Sequence, residues 1–164
     1  MNTVYIVDYD DLIKSYEYFM RYSLEQSEFC SLITLLKKES RNSSKTIHDK
    51  RLQSLKPLFH SQIEKIKKWS NGGTRNDYTV MKIYKCKSSY TEWEKCDGNF
   101  LLPEKYKLPK DIAFYRKKVV WLATISHENL AFLYNPTESD LQFFKDNNIK
   151  YYQTMPMSIY SLPI

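Results

Sequence analysis

The seven residues Val119-Val120-Trp121-Leu122-Ala123-Thr124-Ile125 carry no charge, and four of them are β-branched. A run this short, bounded by Lys118 and Ser126-His127-Glu128, is strand-forming, and it predicts a strand in the middle of a sheet. The chain must therefore supply that strand with neighbours. Asn129 to Tyr134 reads as one of them, antiparallel and reached through Ser126-His127-Glu128. Asn135-Pro136-Thr137-Glu138 then opens a helix over about 137–147, with a cap, a proline at its start and acids near the positive end of its dipole. Asn147-Asn148 can take the left-handed end, Ile149 to Thr154 reads as a last strand, and the apolar tail to Ile164 is expected to lie against the body.

Upstream the periodicity changes. Thr3 to Val7 is a short strand or a hydrophobic lead-in. Asp8, Asp10 and Asp11 then precede an apolar stripe of Leu12, Tyr16, Phe19 and Met20, continued by Phe29, Leu32, Ile33 and Leu36. This spacing predicts one long helix over 10–38, bent near Ser27. After the polar stretch 40–44, Leu52, Leu55, Phe59, Ile63 and Ile66 predict a second helix over 47–69, kinked at Pro57 and ended by Asn71-Gly72-Gly73. Tyr78 to Cys86 reads as a strand, and Asp97-Gly98 as a hairpin turn between Tyr90–Cys96 and Asn99–Leu102. Residues 103–118 read as an extended basic loop, with a short helix as the alternative within it.

The expected fold is therefore α+β. A hairpin of two amphipathic helices leads into a mostly antiparallel sheet of about four or five strands that carries one further helix. The 164 residues form one domain, mainly helical over 1–73 and mainly β over 74–164. Val120, Leu122, Leu130, Phe132, Phe144 and Ile149 are the expected core.

Composition excludes several classes. With 42% hydrophobic and 27% charged residues the chain is neither disordered nor collagen-like. No apolar run is long enough for a membrane helix, and no basic-then-apolar leader begins the sequence, so a cytoplasmic protein is expected. Three cysteines, Cys30, Cys86 and Cys96, are expected to be free thiols; with His48, His60 and His127 they match no zinc spacing, and no metal or cofactor is expected.

Reactive constellations are incomplete. Val7-Asp8-Tyr9-Asp10 resembles, in a handful of residues, the paired aspartates of haloacid dehalogenase-type phosphotransferases. The Gly-Thr that follows in them is Asp11-Leu12 here, and helix capping is the expected role. His127-Glu128 lacks the second histidine of a zinc-protease helix, since position 131 is Ala131. Glu92, Glu94 and Lys95 lack the Glu-x-Lys order of a nuclease strand. Only three glycines leave no phosphate-cradling loop.

Charge is unevenly placed. Residues 1–40 hold four basic and seven acidic side chains, residues 41–118 nineteen and eight, and residues 119–164 two and four. The basic middle is interleaved with aromatics, which suits binding to an acidic surface. The expected function is non-enzymatic binding of a protein partner. The closest profile is that of bacterial immunity proteins, stoichiometric inhibitors that cover a cognate toxin and need complementarity rather than chemistry. Tyr90, Trp93, Tyr106, Lys107, Lys110, Tyr115 and Arg116 are the expected contacts, because Tyr, Trp and Arg are the usual hot-spot types. The alternatives are nucleic-acid binding through the basic, Tyr-rich segment 82–118, and an enzyme built around His127 and Glu128.

Overall fold

The computed structural model describes residues 2–35, 47–70, 72–74, 79–87 and 89–164. Leu36, the polar stretch 40–44, Asn71 and Tyr78, all used in the expectations above, lie outside the described residues. Among the described residues the chain builds one antiparallel sheet of eight strands. In chain order these are β1 (Val4–Val7), β2 (Phe29–Leu35), β3 (Phe59–Glu64), β6 (Thr79–Lys85), β7 (Lys110–Arg116), β8 (Val119–Ile125), β9 (Leu130–Tyr134) and β10 (Tyr151–Thr154). Between β3 and β6, β4 (Lys68–Trp69) and β5 (Gly72–Gly73) pair as a separate small sheet. The large sheet runs β10-β1-β9-β8-β7-β2-β6-β3, so the strand at 119–125 is internal as expected.

The helical hairpin does not form. The first expected helix is two short ones, α1 (Tyr9–Lys14) and α2 (Tyr16–Glu25), followed by β2. The Leu12, Phe19 and Met20 stripe is real and buried. Phe29-Cys30-Ser31-Leu32-Ile33 sends Cys30 and Leu32 to one face of the sheet and Phe29 and Ile33 to the other. A strand covered on both faces is apolar throughout, and its spacing mimics a helical stripe. The second expected helix is likewise broken. Residues 47–51 are α3, Gln53–Leu58 is a 3-10 turn, and β3 follows. Pro57 removes the amide that would continue the helix.

Two corrections fall in the basic middle. Tyr90–Glu94 is a helix, α4, rather than a hairpin strand. Residues 103–118 hold a short helix, α5 (Pro103–Tyr106), and then β7, an internal strand between β8 and β2. Its lysine and arginine sit at its two ends, while Ile112, Ala113, Phe114 and Tyr115 are buried. Gly98 makes no hairpin turn; a Cβ there would come within 3.0 Å of Tyr106 Cβ, so glycine lets the α5 segment pack close.

The sheet is covered on both sides. The α1, α2 and α4 helices and α6 (Glu138–Asp146) bury Leu12, Phe19, Leu24, Trp93 and Phe144 on one face. The α6 helix starts at a capping box, with Asp140 N donating to Thr137 Oγ1 (3.1 Å) and Thr137 N to Asp140 Oδ2 (2.9 Å). On the other face lie Ile66, Trp69 and the tail through Leu162, which is fastened by Val120 N to Tyr160 O and Leu162 N to Lys118 O. Of the expected core, Val120, Leu122, Phe132, Phe144 and Ile149 are buried and Leu130 is half-buried. In β8 the pairing shifts so that Phe114 faces Leu122 and Tyr115 faces Val120, which leaves Trp121 as the extra residue of a bulge.

Candidate functional site

One cavity of about 600 Å³ gathers much of the basic middle segment. It opens where β7 begins and β8 ends. Its floor is aliphatic, from Ile33, Leu101, Leu102, Pro103 and Leu108, and its rim carries Lys105, Lys107, Lys110, His48 and His127, with Glu104 the one acidic side chain among the described residues.

Local geometry explains why the cations converge. The α5 helix starts at Pro103 and is closed by Lys107 in the left-handed region (φ 55), with Leu108 N bonding back to Pro103 O at 2.9 Å. Three lysines spaced 105, 107 and 110 around this reversal therefore reach one opening. Arg51 Nε donates to Tyr106 O (3.1 Å), which ties α5 to the helix that carries His48. Thr34 Oγ1 lies 3.1 Å from His48 Nδ1. Burial first, and then the Lys82 ammonium, hold the His48 imidazole below its ordinary pKa, with Asp49 opposing. At neutral pH His48 is uncharged, and the lysines supply the rim's positive charge.

Asp111 fixes the other wall. It is buried and sits at φ 53 near the start of β7, a conformation Asp tolerates better than most residues. Its Oδ1 accepts from Ser126 N (2.9 Å) and Ser126 Oγ (3.0 Å), and its Oδ2 from Trp69 Nε1 (3.0 Å). This carboxylate thus holds the Ser126–Glu128 turn, and His127 with it, beside Lys110, whose ammonium lies 4.0 Å from Asp111 Oδ2 and 5.6 Å from the centre of the Trp69 ring. Sequence reading missed Asp111 and His48, whose partners are distant in the chain. The isolated aspartate inside an otherwise apolar strand was the available signal.

The seven expected contacts separate into groups. Lys107 and Lys110 line the cavity, and Tyr106 lies behind it, half-buried against the core. Tyr90 is half-buried under the Arg21 guanidinium, 4.4 Å from its ring centre, and does not line the cavity. Trp93 is a core residue in edge contact with Tyr84 and Phe100. Tyr115 is fully buried; its hydroxyl shares a 2.7 Å hydrogen bond with Ser31 Oγ, and burial raises the phenol's pKa, with the Ser31 bond opposing. Arg116 makes a bidentate pair with Asp140 (2.8 and 2.7 Å) and stacks 4.0 Å over Trp121.

The remaining candidates have local roles. Asp8 Oδ1 accepts from Asp11 N (3.0 Å) and caps α1. His127 and Glu128 are exposed, with Nε2 and Oε1 3.8 Å apart, and among the described residues no tyrosine lines the cavity beside them. The three cysteines are buried and form no disulfide. Among the described residues no group of three or more His, Cys, Asp or Glu is placed to hold a metal ion, and no helix is long and apolar enough to cross a membrane. Comparison with protein-family models, curated proteins and solved structures finds no match for this chain.

Proposed function

We propose that the chain is a non-enzymatic binding protein that receives an acidic, partly apolar segment of a protein partner in the cavity between α5 and the Ser126–Glu128 turn. The observation that carries this reading is the pairing of an aliphatic floor with a lysine rim. An apolar centre inside a polar margin is the anatomy of a protein interface. A nucleic-acid groove would instead present large aromatic platforms for bases, and among the described lining residues there is no Phe, Tyr or Trp. The supporting composition, small, glycine-poor and without a catalytic motif, favours the form of a cytoplasmic stoichiometric inhibitor of the immunity type, for which complementarity suffices.

The test is anisotropy with two labelled probes: a peptide alternating Glu with Leu, and a single-stranded oligonucleotide. The peptide is expected to bind, and reversing Lys105, Lys107 and Lys110 together to Glu should weaken it about tenfold or more, because rim charges set encounter and register. Reversing Lys105 and Lys107 alone should also weaken it with the melting temperature unchanged, whereas Lys110 lies 4.0 Å from Asp111 Oδ2 and its reversal costs stability as well. Peptide affinity untouched by the triple reversal overturns the reading. So does an oligonucleotide that binds more tightly than the peptide and whose affinity collapses as salt rises.

A further inference from the structure

Among the described residues the β10 strand ends the sheet and is bonded to β1 alone. Its outward groups can be identified from two backbone bonds. Asp8 N donates to Lys150 O (2.8 Å) on the β10 side of β1, and Asn135 N donates to Thr3 O (2.7 Å) on the β9 side. With Val4 opposite Thr154 and Ile6 opposite Tyr152, the alternation of an antiparallel ladder gives one solution. Lys150, Tyr152 and Thr154 turn their backbone groups to β1, and Tyr151 and Gln153 turn theirs outward. Among the described residues nothing bonds those outward groups.

The two edges of the sheet differ in their protection. At the β3 edge the pairing is irregular between Phe59 and Ser61, and the strand ends on Glu64 and on Lys65 at φ 54. Bulges and charges of this kind discourage pairing with another chain. The β10 sequence Tyr-Tyr-Gln-Thr has no charge, no proline and a regular register. Large exposed apolar residues gather beside it: Tyr152 is 56% exposed and Met155 80%. An open groove of about 700 Å³, lined in part by Lys145, Lys150 and Tyr152, leaves room alongside.

We propose that β10 pairs antiparallel with β10 of a second copy of this chain, joining two sheets into one. A two-fold axis perpendicular to the sheet at Tyr152 satisfies the alternation. Tyr151 and Gln153 of one copy then exchange backbone bonds with Gln153 and Tyr151 of the second, about four in all. Tyr152 faces its own counterpart in the close, non-hydrogen-bonded position, where an aromatic pair is favourable. Lys150 falls opposite Thr154 of the second copy, so no lysine meets a lysine. This self-complementarity selects a second copy over an unrelated strand.

The experiment is sedimentation of the full chain over a concentration series, with two edge variants and two cysteine variants. Wild type is expected to double its 19.7 kDa mass. Gln153→Pro removes only an outward amide, which an edge strand tolerates, and should stay monomeric with an unchanged melting temperature. Should it fail to fold, Tyr152→Lys, which sets two ammonium groups on the axis, carries the same expectation. Tyr152→Cys should oxidise to a covalent dimer, since the close antiparallel position brings Cα atoms into disulfide range and the native cysteines are buried. Tyr18→Cys, on exposed α2, reports random collision. A monomer at every concentration, a dimer that survives both edge variants, or equal cross-linking at positions 18 and 152 overturns the proposal.

Discussion

Arg116→Ala is expected to destabilise the fold by about 3–5 kcal/mol, the cost of removing one partner from a buried ion pair. Asp140 is fully buried, and its two oxygens accept from both Arg116 terminal nitrogens, from Tyr22 Oη (2.6 Å) and from Thr137 N (2.9 Å). Arg116 also donates from Nε to Gln26 O (3.1 Å) and lies over Trp121, whose Nε1 donates to Ser27 Oγ. One guanidinium thus joins the end of α2, the end of β7, the bulge in β8 and the first turn of α6. Truncating it leaves a carboxylate without its countercharge and takes away the packing of the arginine stem. Burial alone would raise the Asp140 pKa, but the bonds from Arg116, Tyr22 and the Thr137 amide outweigh it and hold the carboxyl below its ordinary range. A depressed folded pKa gives stability that is complete above the ordinary carboxylate range and is lost as pH falls through the depressed value. Urea midpoints measured from neutral to acid pH check both statements. Wild type should lose stability below the carboxylate range, and the variant should show a weaker acid dependence. A variant within 1 kcal/mol of wild type at neutral pH, with the same acid slope, would show that the pair contributes nothing net, as exposed pairs commonly do.

Asp111→Ala is expected to cost about as much, roughly 3–5 kcal/mol. It strips the partners from Trp69 Nε1 and Ser126 N, two buried donors, each costing on the order of 1–3 kcal/mol when left unpaired. It also places alanine at φ 53, where Asp and Asn are the better tolerated side chains. Asp111→Asn separates these effects. The amide keeps an acceptor for Ser126 and suits the backbone, but its nitrogen opposes the Trp69 indole, so its unfolding midpoint should fall between wild type and Asp111→Ala. Equal losses in the two variants would assign the whole cost to the Trp69 contact. Amide exchange at Ser126 provides a second readout, because the alanine variant should release the turn that carries His127 into the cavity rim.

Local signals were legible in the sequence, and long-range ones were not. The strand at 119–125 and the helix over 138–146 follow from their own residues: an uncharged β-branched run in one, a cap with acids in the first turn in the other. The strands β2 and β7 were hidden because both of their faces are covered. Without alternation, Phe29–Ile33 looks helical, and in Lys110–Arg116 the charges mask four buried apolar residues. Side-chain type was misleading for Trp93 and Tyr115 in the same way. An aromatic with a polar tip suits an interface or a core equally, and the partner that decides for Tyr115, Ser31, lies 84 positions away. The lysines at 105, 107 and 110 could be seen as a cluster, but that they surround an aliphatic hollow depends on Ile33 and His48, which only the sheet brings to them.

The placement of β1 between β9 and β10 also sets a timetable for synthesis. The β1 strand is made well before its partners and has both of them only once residue 154 has been made, for Val4 lies opposite Tyr134 on one side and Thr154 on the other. The middle strands can pair early, β2 with β6 and then β7 with β8, while Val4–Val7 waits with its backbone exposed. Closing so long a loop is slow, and transiently open strands are those most exposed to aggregation and to chaperones. A chain made only as far as residue 129 would hold a β1 with neither neighbour, so completion of the sheet waits on the strands β9 and β10.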